Sequence, residues 1–284
     1  MKIFYLNCHR LLKRNKDGQR DWLIRLINDN DVDVICLSES SNYDIGVDLP
    51  DMFPEVYRLK PSGTVLQRMG YRFNIVSRIP VMYESIDYSV DTAWHGDKDA
   101  ASAADYSSGT MISMKFEGFD FEIVPVHIQH KKSKSQTLSA GTAFYEFGLQ
   151  TLRDYMINNK PLVVFGDFNN YPEDKSFLAL TDSTGYTRIA DRDVEYTYKR
   201  SPSDDYGLVI DHTFTANSKK VSMKYIDAIS HGFNHDGMLI SISDKTLSRE
   251  QVDVALSEGA ADLNAGRAML SSQVREKMQR KYNK

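Results

Sequence analysis

Pro161-Leu-Val-Val-Phe165 runs straight into Gly166-Asp-Phe-Asn-Asn170, an apolar strand that stops in a polar turn led by glycine. The strand is too short for a helix and apolar throughout, so it predicts a strand covered on both faces, with Asp167 and Asn169 delivered at its exit. Just upstream, about Thr142 to Asn158, Phe144, Phe147 or Gly148, Leu152 and Tyr155 fall at helical spacing. Before that helix, Thr110 to Phe116 and Phe119 to His127 read as a hairpin turning at Glu117-Gly118, whose second strand enters the basic stretch IQHKKSKSQ.

The same grammar extends to both sides. Residues 2 to 8, KIFYLNC, read as a strand with a polar end, and Gln19 to Asn30 as an amphipathic helix with Trp22, Leu23, Leu26 and Ile27 on one side. Val32 to Leu37 is apolar and partly β-branched, which predicts a buried central strand ending at Ser38-Glu39. Gly70 to Met82 reads as strand, turn and strand, with Pro80 at a strand start. Residues 85 to 108 carry a weak pattern and predict a long irregular excursion. Two later strands, Leu208 to Thr215 and Met238 to Ser243, contain Asp211-His212 and follow Asn234-His235 respectively.

Beyond Ser243 the pattern turns helical, interrupted at Gly259 and Gly266, and its last ten residues hold Arg275, Lys277, Arg280, Lys281 and Lys284 against Glu276 alone. The expected organisation is one domain over residues 1–245 and a helical, basic-ended extension over 246–284. The chain has 284 residues, 41% of them hydrophobic and 26% charged, with a formal charge of −4. That composition supports a sizeable core and excludes a disordered chain or a small disulfide scaffold. It also excludes a protein that coats nucleic acid by bulk charge, so any polyanion needs a local site. Cys8 and Cys36 lie in apolar runs outside any zinc-ligand spacing and read as buried reduced thiols. With no secretory pattern at the start and no run near the roughly 18 apolar residues of a membrane span, a cytoplasmic location without a membrane partner is expected.

Asn7, Glu39, His127, Asp167, Asn169, Asp211 and His235 all fall at strand ends. In a layered sheet protein, side chains at like ends of adjacent strands converge on one mouth. Carboxylates, amides and imidazoles gathered there suit phosphate ester cleavage. A hard divalent ion takes oxygen from one or two carboxylates and from the substrate phosphate, and attack on phosphorus needs a deprotonated water and charge stabilisation.

Taken in order, Leu6-Asn7, Leu37-Ser-Glu39, Val126-His127, Gly166-Asp-Phe-Asn169, Ile210-Asp-His212 and Asn234-His235 resemble the endonuclease/exonuclease/phosphatase superfamily, to which deoxyribonuclease I belongs. The resemblance covers roughly residues 1 to 245, with Gly-Asp-Phe-Asn its most specific piece. It implies a four-layer α/β/β/α sandwich, two mixed β-sheets face to face with helices outside, and the C-terminal helical tail beyond it. It also implies a Mg²⁺ or Mn²⁺ site with Glu39 as the main carboxylate and Asn7 beside it. Asp167 then resembles the carboxylate that activates the attacking water, and Asn169 the amide that bonds the phosphoryl oxygen. His235 resembles the imidazole on the scissile phosphate, with Asp211 fixing its tautomer, and His127 the second histidine of the deoxyribonuclease I branch, an acid toward the leaving oxygen. One departure stands out: the family's Ser-Asp-His is here Phe233-Asn234-His235, so Asn234 offers the metal a carbonyl oxygen without charge.

Lys131, Lys132, Lys134 and Arg72, with Arg78, are the expected contacts to phosphates flanking the scissile one; a solvated lysine cluster reads equally well. Tyr43, Tyr71, Tyr106 and Tyr171 fall near predicted loops, while His130, His212 and His231 read as packing residues. The expectation is a metal-dependent nuclease acting on nucleic acid, DNA favoured. Its rivals are a phosphatase or phosphodiesterase on a small or lipid-derived ester, and a weakly catalytic nucleic-acid-binding module.

Overall fold

In the computed structural model, residues 1–8, 16–39, 74–87, 110–128, 138–190, 193–201 and 203–243 are described. The chain divides into a unit spanning Met1–Ile242 and another spanning Ser243–Lys284, the latter outside the described residues apart from Ser243.

Two mixed sheets form the first unit. One contains β1 (Lys2–Asn7), β2 (Val34–Ser38), β3 (Asn74–Ser77), β10 (Val221–Ile226) and β11 (Gly237–Ile242), in the order β10-β11-β1-β2-β3. The other contains β4 (Val81–Asp87), β5 (Thr110–Phe116), β6 (Glu122–His127), β7 (Val163–Asp167), β8 (Thr187–Ile189) and β9 (Asp211–Thr215), in the order β4-β5-β6-β7-β9-β8. The β1–β2 and β6–β7 pairs are parallel and the remaining pairs antiparallel.

Period-two alternation assigns each strand residue to a layer. Ile3 and Tyr5 of β1, Val34 and Cys36 of β2, Ile123 of β6, and Val163 and Phe165 of β7 point between the sheets and are buried in one shared core. Phe4, Leu6, Ile35 and Leu37 point the other way and are covered by Trp22, Leu23 and Ile27 of helix α1 (Lys16–Asn30). Val124, Val126, Val164 and Phe214 are covered by Tyr145, Leu149, Leu152 and Met156 of helix α2 (Leu138–Asn159) and by Phe177 and Leu180 of helix α3 (Lys175–Thr184). The result is the expected α/β/β/α sandwich.

Several local expectations shift. Strand β4 continues to Asp87, into the stretch read as irregular, because Val81 to Asp87 pairs residue for residue with Phe116 to Thr110. Strand β9 begins later than read, at Asp211, whereas β11, Gly237–Ile242, begins and ends one residue earlier than read. Helix α3 and strands β8 and β10 were not anticipated, although β10 carries a plain buried–exposed alternation. Asp174 caps α3, its carboxylate accepting from the Ser176 N–H. Arg78 is tied by its N–H to the Asp33 carbonyl, at the end of β2 opposite Glu39, so it does not line the expected phosphate face. Both cysteines are buried and unpaired. Among the described residues no helix is long and apolar enough to cross a membrane.

Candidate active site

The alternation that builds the inter-sheet core also places polar residues at its rim. Two positions beyond Tyr5 comes Asn7, and two beyond Phe165 comes Asp167; both sit on the inward face and are buried. Register then lines up His127, Asp167 and Asp211 in one row across β6, β7 and β9. Asn7, opposite Ser38, ends the facing sheet.

These side chains touch. The Asn7 Nδ2 donates to Asp167 Oδ2 at 2.9 Å and to Glu39 Oε1 at 3.2 Å, joining the two sheets. His127 Nε2 lies 3.1 Å from Glu39 Oε1 and 3.8 Å from Asp167 Oδ2. His235 Nδ1 lies 2.9 Å from Asp211 Oδ2, and Asp167, Asp211 and His235 place ligand atoms within 4.8 Å of one another. Asn169 is held from both ends: its N–H donates to Asp167 Oδ1 at 2.8 Å, and its Nδ2 donates to the Ile128 carbonyl at 2.8 Å. Glu39 follows the end of β2 with φ 50°, a left-handed conformation that costs a glutamate on the order of 1 kcal/mol and turns it toward Asn7 and His127.

Electrostatics separates the groups. Burial alone would lower the His235 imidazole, but the charge and hydrogen bond of Asp211, followed by Asp167 and Glu39, hold it up at about 9. His235 is therefore an imidazolium at neutral pH, with Nδ1–H committed to Asp211. Burial pushes the Asp167 carboxyl up, the neighbouring Asp211 charge adds to this, and His235 and His127 oppose it. Burial likewise lowers His127, while its hydrogen bond to Glu39 and the charges of Asp167 and Glu39 raise it to a net upward shift.

Two contributors carried no signal that was read from sequence. The Thr197 hydroxyl accepts from the N–H groups of Ile210 and Asp211, both at 3.0 Å, and fixes the start of β9 under the Asp211 carboxylate. Tyr198 packs its ring 4.7 Å from that of His235 and bridges both Leu208 and His235 through its backbone. These partners lie 10 and 37 positions away, so only the fold reveals them.

Asn234 is explained by the same loop. Its Nδ2 donates to the carbonyls of Lys199 and Arg200, at 2.8 and 2.5 Å. An aspartate has no N–H to give, which accounts for the amide; a metal-ligand role would rest on the oxygen alone. Asn234→Asp is expected to cost about 1 kcal/mol, read as a lower urea midpoint, because two part-buried carbonyls would lose their donor and face a carboxylate. Asp236 does not supply a substitute charge, since its Oδ1 accepts from the N–H groups of Ala228 and Ile229 at the 3₁₀ turn Ile229–His231.

His212 alternates outward from Asp211, into the helix layer among Phe168, Phe177 and Phe214. Its Nδ1 accepts from Arg188 Nε at 3.0 Å and its Nε2 lies 2.9 Å from the Asn170 carbonyl. Burial first, then the Arg188 charge, pull the imidazole down to about 3. Its unfolded value is the ordinary 6.5, so the unfolded chain binds the extra proton between the two values. The contribution is full above pH 6.5 and is lost as pH falls toward 3. Urea midpoints measured from pH 8 to pH 4 should therefore fall less steeply in His212→Phe than in the parent. His231 stacks on Trp22 with ring centroids 5.0 Å apart, a packing role. Arg72, Lys131, Lys132, Lys134, His130, Tyr43, Tyr71 and Tyr106 lie outside the described residues.

The donor set fits a divalent cation. Glu39, His127 and Asp167 form one group able to hold an ion, and Asp167, Asp211 and His235 another. Carboxylate oxygens dominate, as a hard ion requires, and Asp211 Oδ1 is buried with no hydrogen-bond partner. Glu39 is the most open of the first group, with its side chain 13% exposed against 6% for His127 and 2% for Asp167.

A four-layer sandwich with this rim defines a class of phosphoester-processing proteins. The profile of the Endonuclease/Exonuclease/phosphatase family matches residues 5–244, and the chain belongs to that family, whose members are hydrolases acting on phosphoester bonds with divalent metals. Solved structures share the fold at low identity. A variant of the 3′ phosphatase NExo from Neisseria, bound to a product DNA hairpin, is 17% identical over 86% of this chain and 100% of that one, with a TM-score of 0.59. A doubly substituted beta toxin from Staphylococcus aureus, with bound magnesium ions, is 13% identical over 85% and 99%, with a TM-score of 0.56. Sphingomyelinase C from Streptomyces griseocarneus is 12% identical over 86% and 99%, with a TM-score of 0.55. No curated protein matches the chain.

Proposed function

We propose that the protein is a divalent-metal-dependent nuclease that hydrolyses phosphodiester bonds of nucleic acid, DNA in preference. The observation that carries this reading is the direct joining of Glu39, Asn7, Asp167 and His127 across the two sheets, beside the His235–Asp211 pair. Likeness to a Neisseria phosphatase bound to DNA supports nucleic acid as the substrate class.

Glu39 and Asn7 would hold Mg²⁺ or Mn²⁺, which when bound supplies charge neutralisation at the phosphate and a more acidic water. Asp167, with its raised carboxyl, accepts the proton of the attacking water near neutral pH. His235 presents an imidazolium to the phosphoryl oxygen as negative charge grows there, and Asp211 keeps that ring oriented and charged. Asn169 adds an amide, and His127 carries a proton at Nε2, on the Glu39 side, for the leaving oxygen. Lys131, Lys132, Lys134 and Arg72 are assigned to flanking phosphates.

Plasmid nicking, cleavage of single- and double-stranded oligonucleotides, release of inorganic phosphate from 3′-phosphorylated DNA and small esters, and sphingomyelin hydrolysis, each with Mg²⁺ or Mn²⁺, form the test. Nicking or strand cleavage that Glu39→Ala abolishes is expected. Phosphate release or sphingomyelin turnover without strand cleavage would replace the nuclease reading by its phosphomonoesterase or lipid-directed rival.

A further inference from the structure

Tyr5 places a polar group within the largely apolar inter-sheet core. It faces inward from β1, is fully buried, and sets its ring edge-on to Phe165 at 6.0 Å. Its hydroxyl accepts from the backbone N–H of Asp167 at 2.9 Å. The Ser38 hydroxyl stands 2.9 Å from the same oxygen, and either hydroxyl can donate to the other. Ser38 precedes Glu39, so one oxygen atom touches the main chain that carries Asp167 and the residue adjoining Glu39.

The contact belongs to a seam. Tyr225, Met238 and Tyr5 are register partners across β10, β11 and β1. Each reaches the facing sheet: Tyr225 donates to the Asp211 carbonyl at 3.1 Å, Met238 Sδ accepts from the Thr213 hydroxyl at 3.5 Å, and Tyr5 accepts from Asp167. Apolar packing between sheets is non-directional and tolerates sliding, whereas a hydrogen bond fixes distance and angle. The two terminal bonds of the seam fall at the main chain of Asp167 and Asp211, the carboxylates of the site.

We propose that Tyr5 is a positioning residue whose hydroxyl, held between the Asp167 N–H and Ser38, sets the separation of Glu39 and Asp167 and couples the two sheets beneath them. The inference rests on the reading of those two carboxylates as the reacting pair. Replacing Tyr5 by phenylalanine removes one oxygen, keeps the ring, and leaves the buried Asp167 N–H without this acceptor.

Three readouts test it on the full chain. In Tyr5→Phe, kcat for whichever phosphoester the parent hydrolyses should fall about 10- to 100-fold with KM changed less than about twofold, as expected of reacting groups moved by a fraction of an ångström. Mn²⁺ alone, titrated by calorimetry, should bind at least about threefold more weakly. The amide resonances of Asp167 and Glu39 should move without metal or substrate. Tyr186→Phe is the control, because Tyr186 is a buried phenol donating to the Pro161 carbonyl before the far end of β7. It should lose comparable thermal stability while leaving all three readouts near the parent. If Tyr5→Phe does not fold, Ser38→Ala should still shift the Asp167 amide, on the facing sheet, and weaken Mn²⁺ binding. A parent that hydrolyses no phosphoester would end the nuclease reading, and the amide resonances would then decide the role of Tyr5. A folded Tyr5→Phe, or Ser38→Ala in its place, that matches Tyr186→Phe in every readout the parent displays overturns it.

Discussion

Asp167→Asn is expected to lower phosphodiester hydrolysis by about 10³-fold or more while melting within a few degrees of the parent at pH 8. The loss follows from position. Asp167 meets Asn7 from the opposite sheet, Asn169 from its own turn, and His127 at 3.8 Å, so its free proton-accepting capacity is directed into the rim. The retained stability follows from the raised carboxyl. A carboxyl whose folded pKa lies above its unfolded value of 3.8 favours folding most when protonated, and that contribution is lost as pH rises through the folded value. At pH 8 the buried charge beside Asp211 is therefore a cost, which the amide removes, offsetting the hydrogen bond to Asn7 that the amide cannot make in the same form. Activity within tenfold of the parent would remove Asp167 from its assigned role, and a steep fall in melting temperature would contradict the charge argument.

Gly166→Ala should destabilise by about 3–5 kcal/mol, or prevent folding altogether. Gly166 has φ 143°, and a Cβ built there would lie 1.9 Å from the Val126 carbonyl oxygen, backbone that cannot step aside without breaking the β6–β7 ladder. Gly118→Ala offers the contrast. Its φ is 81°, but nothing lies within 4 Å of the added carbon, so only about 1 kcal/mol of left-handed strain is expected. Chemical denaturation of the two variants side by side measures the difference. Equal losses would mean that conformation rather than close approach governs Gly166. The glycine of the Gly-Asp-Phe-Asn turn thus lets β7 come close enough to β6 for Asp167 to stand beside His127.

Much of the site was legible because strand periodicity is short and rigid. Once Phe165 is read as core, Asp167 must share its face, and the same step leads from Tyr5 to Asn7 and from Thr213 back to Asp211, while His212 must point away. What escaped depends on contacts without a local pattern. Glu39 was singled out at the end of β2, but the left-handed turn at φ 50° that directs it toward Asn7 and His127 was not readable, because no propensity announces that conformation for a glutamate. Tyr198 and Thr197 enter through a loop paired with both Leu208 and the Asn234–Asp236 segment. Asn234 looked like a defective carboxylate because its partners are main-chain carbonyls, invisible in side-chain composition. Strand β8 spans three residues, too few for any periodicity, whereas β10 alternates cleanly and was readable.

In the proposed function, Glu39, Asp167, Asp211 and His235 surround one cation-and-phosphate site at the rim of the sandwich. Anomalous diffraction from crystals soaked in Mn²⁺ addresses it directly. A strong peak against the Glu39 carboxylate, absent from Glu39→Ala crystals treated identically, is the predicted result. Density showing Mn²⁺ held elsewhere on the protein, with Glu39 and Asp167 free of it, would contradict the account.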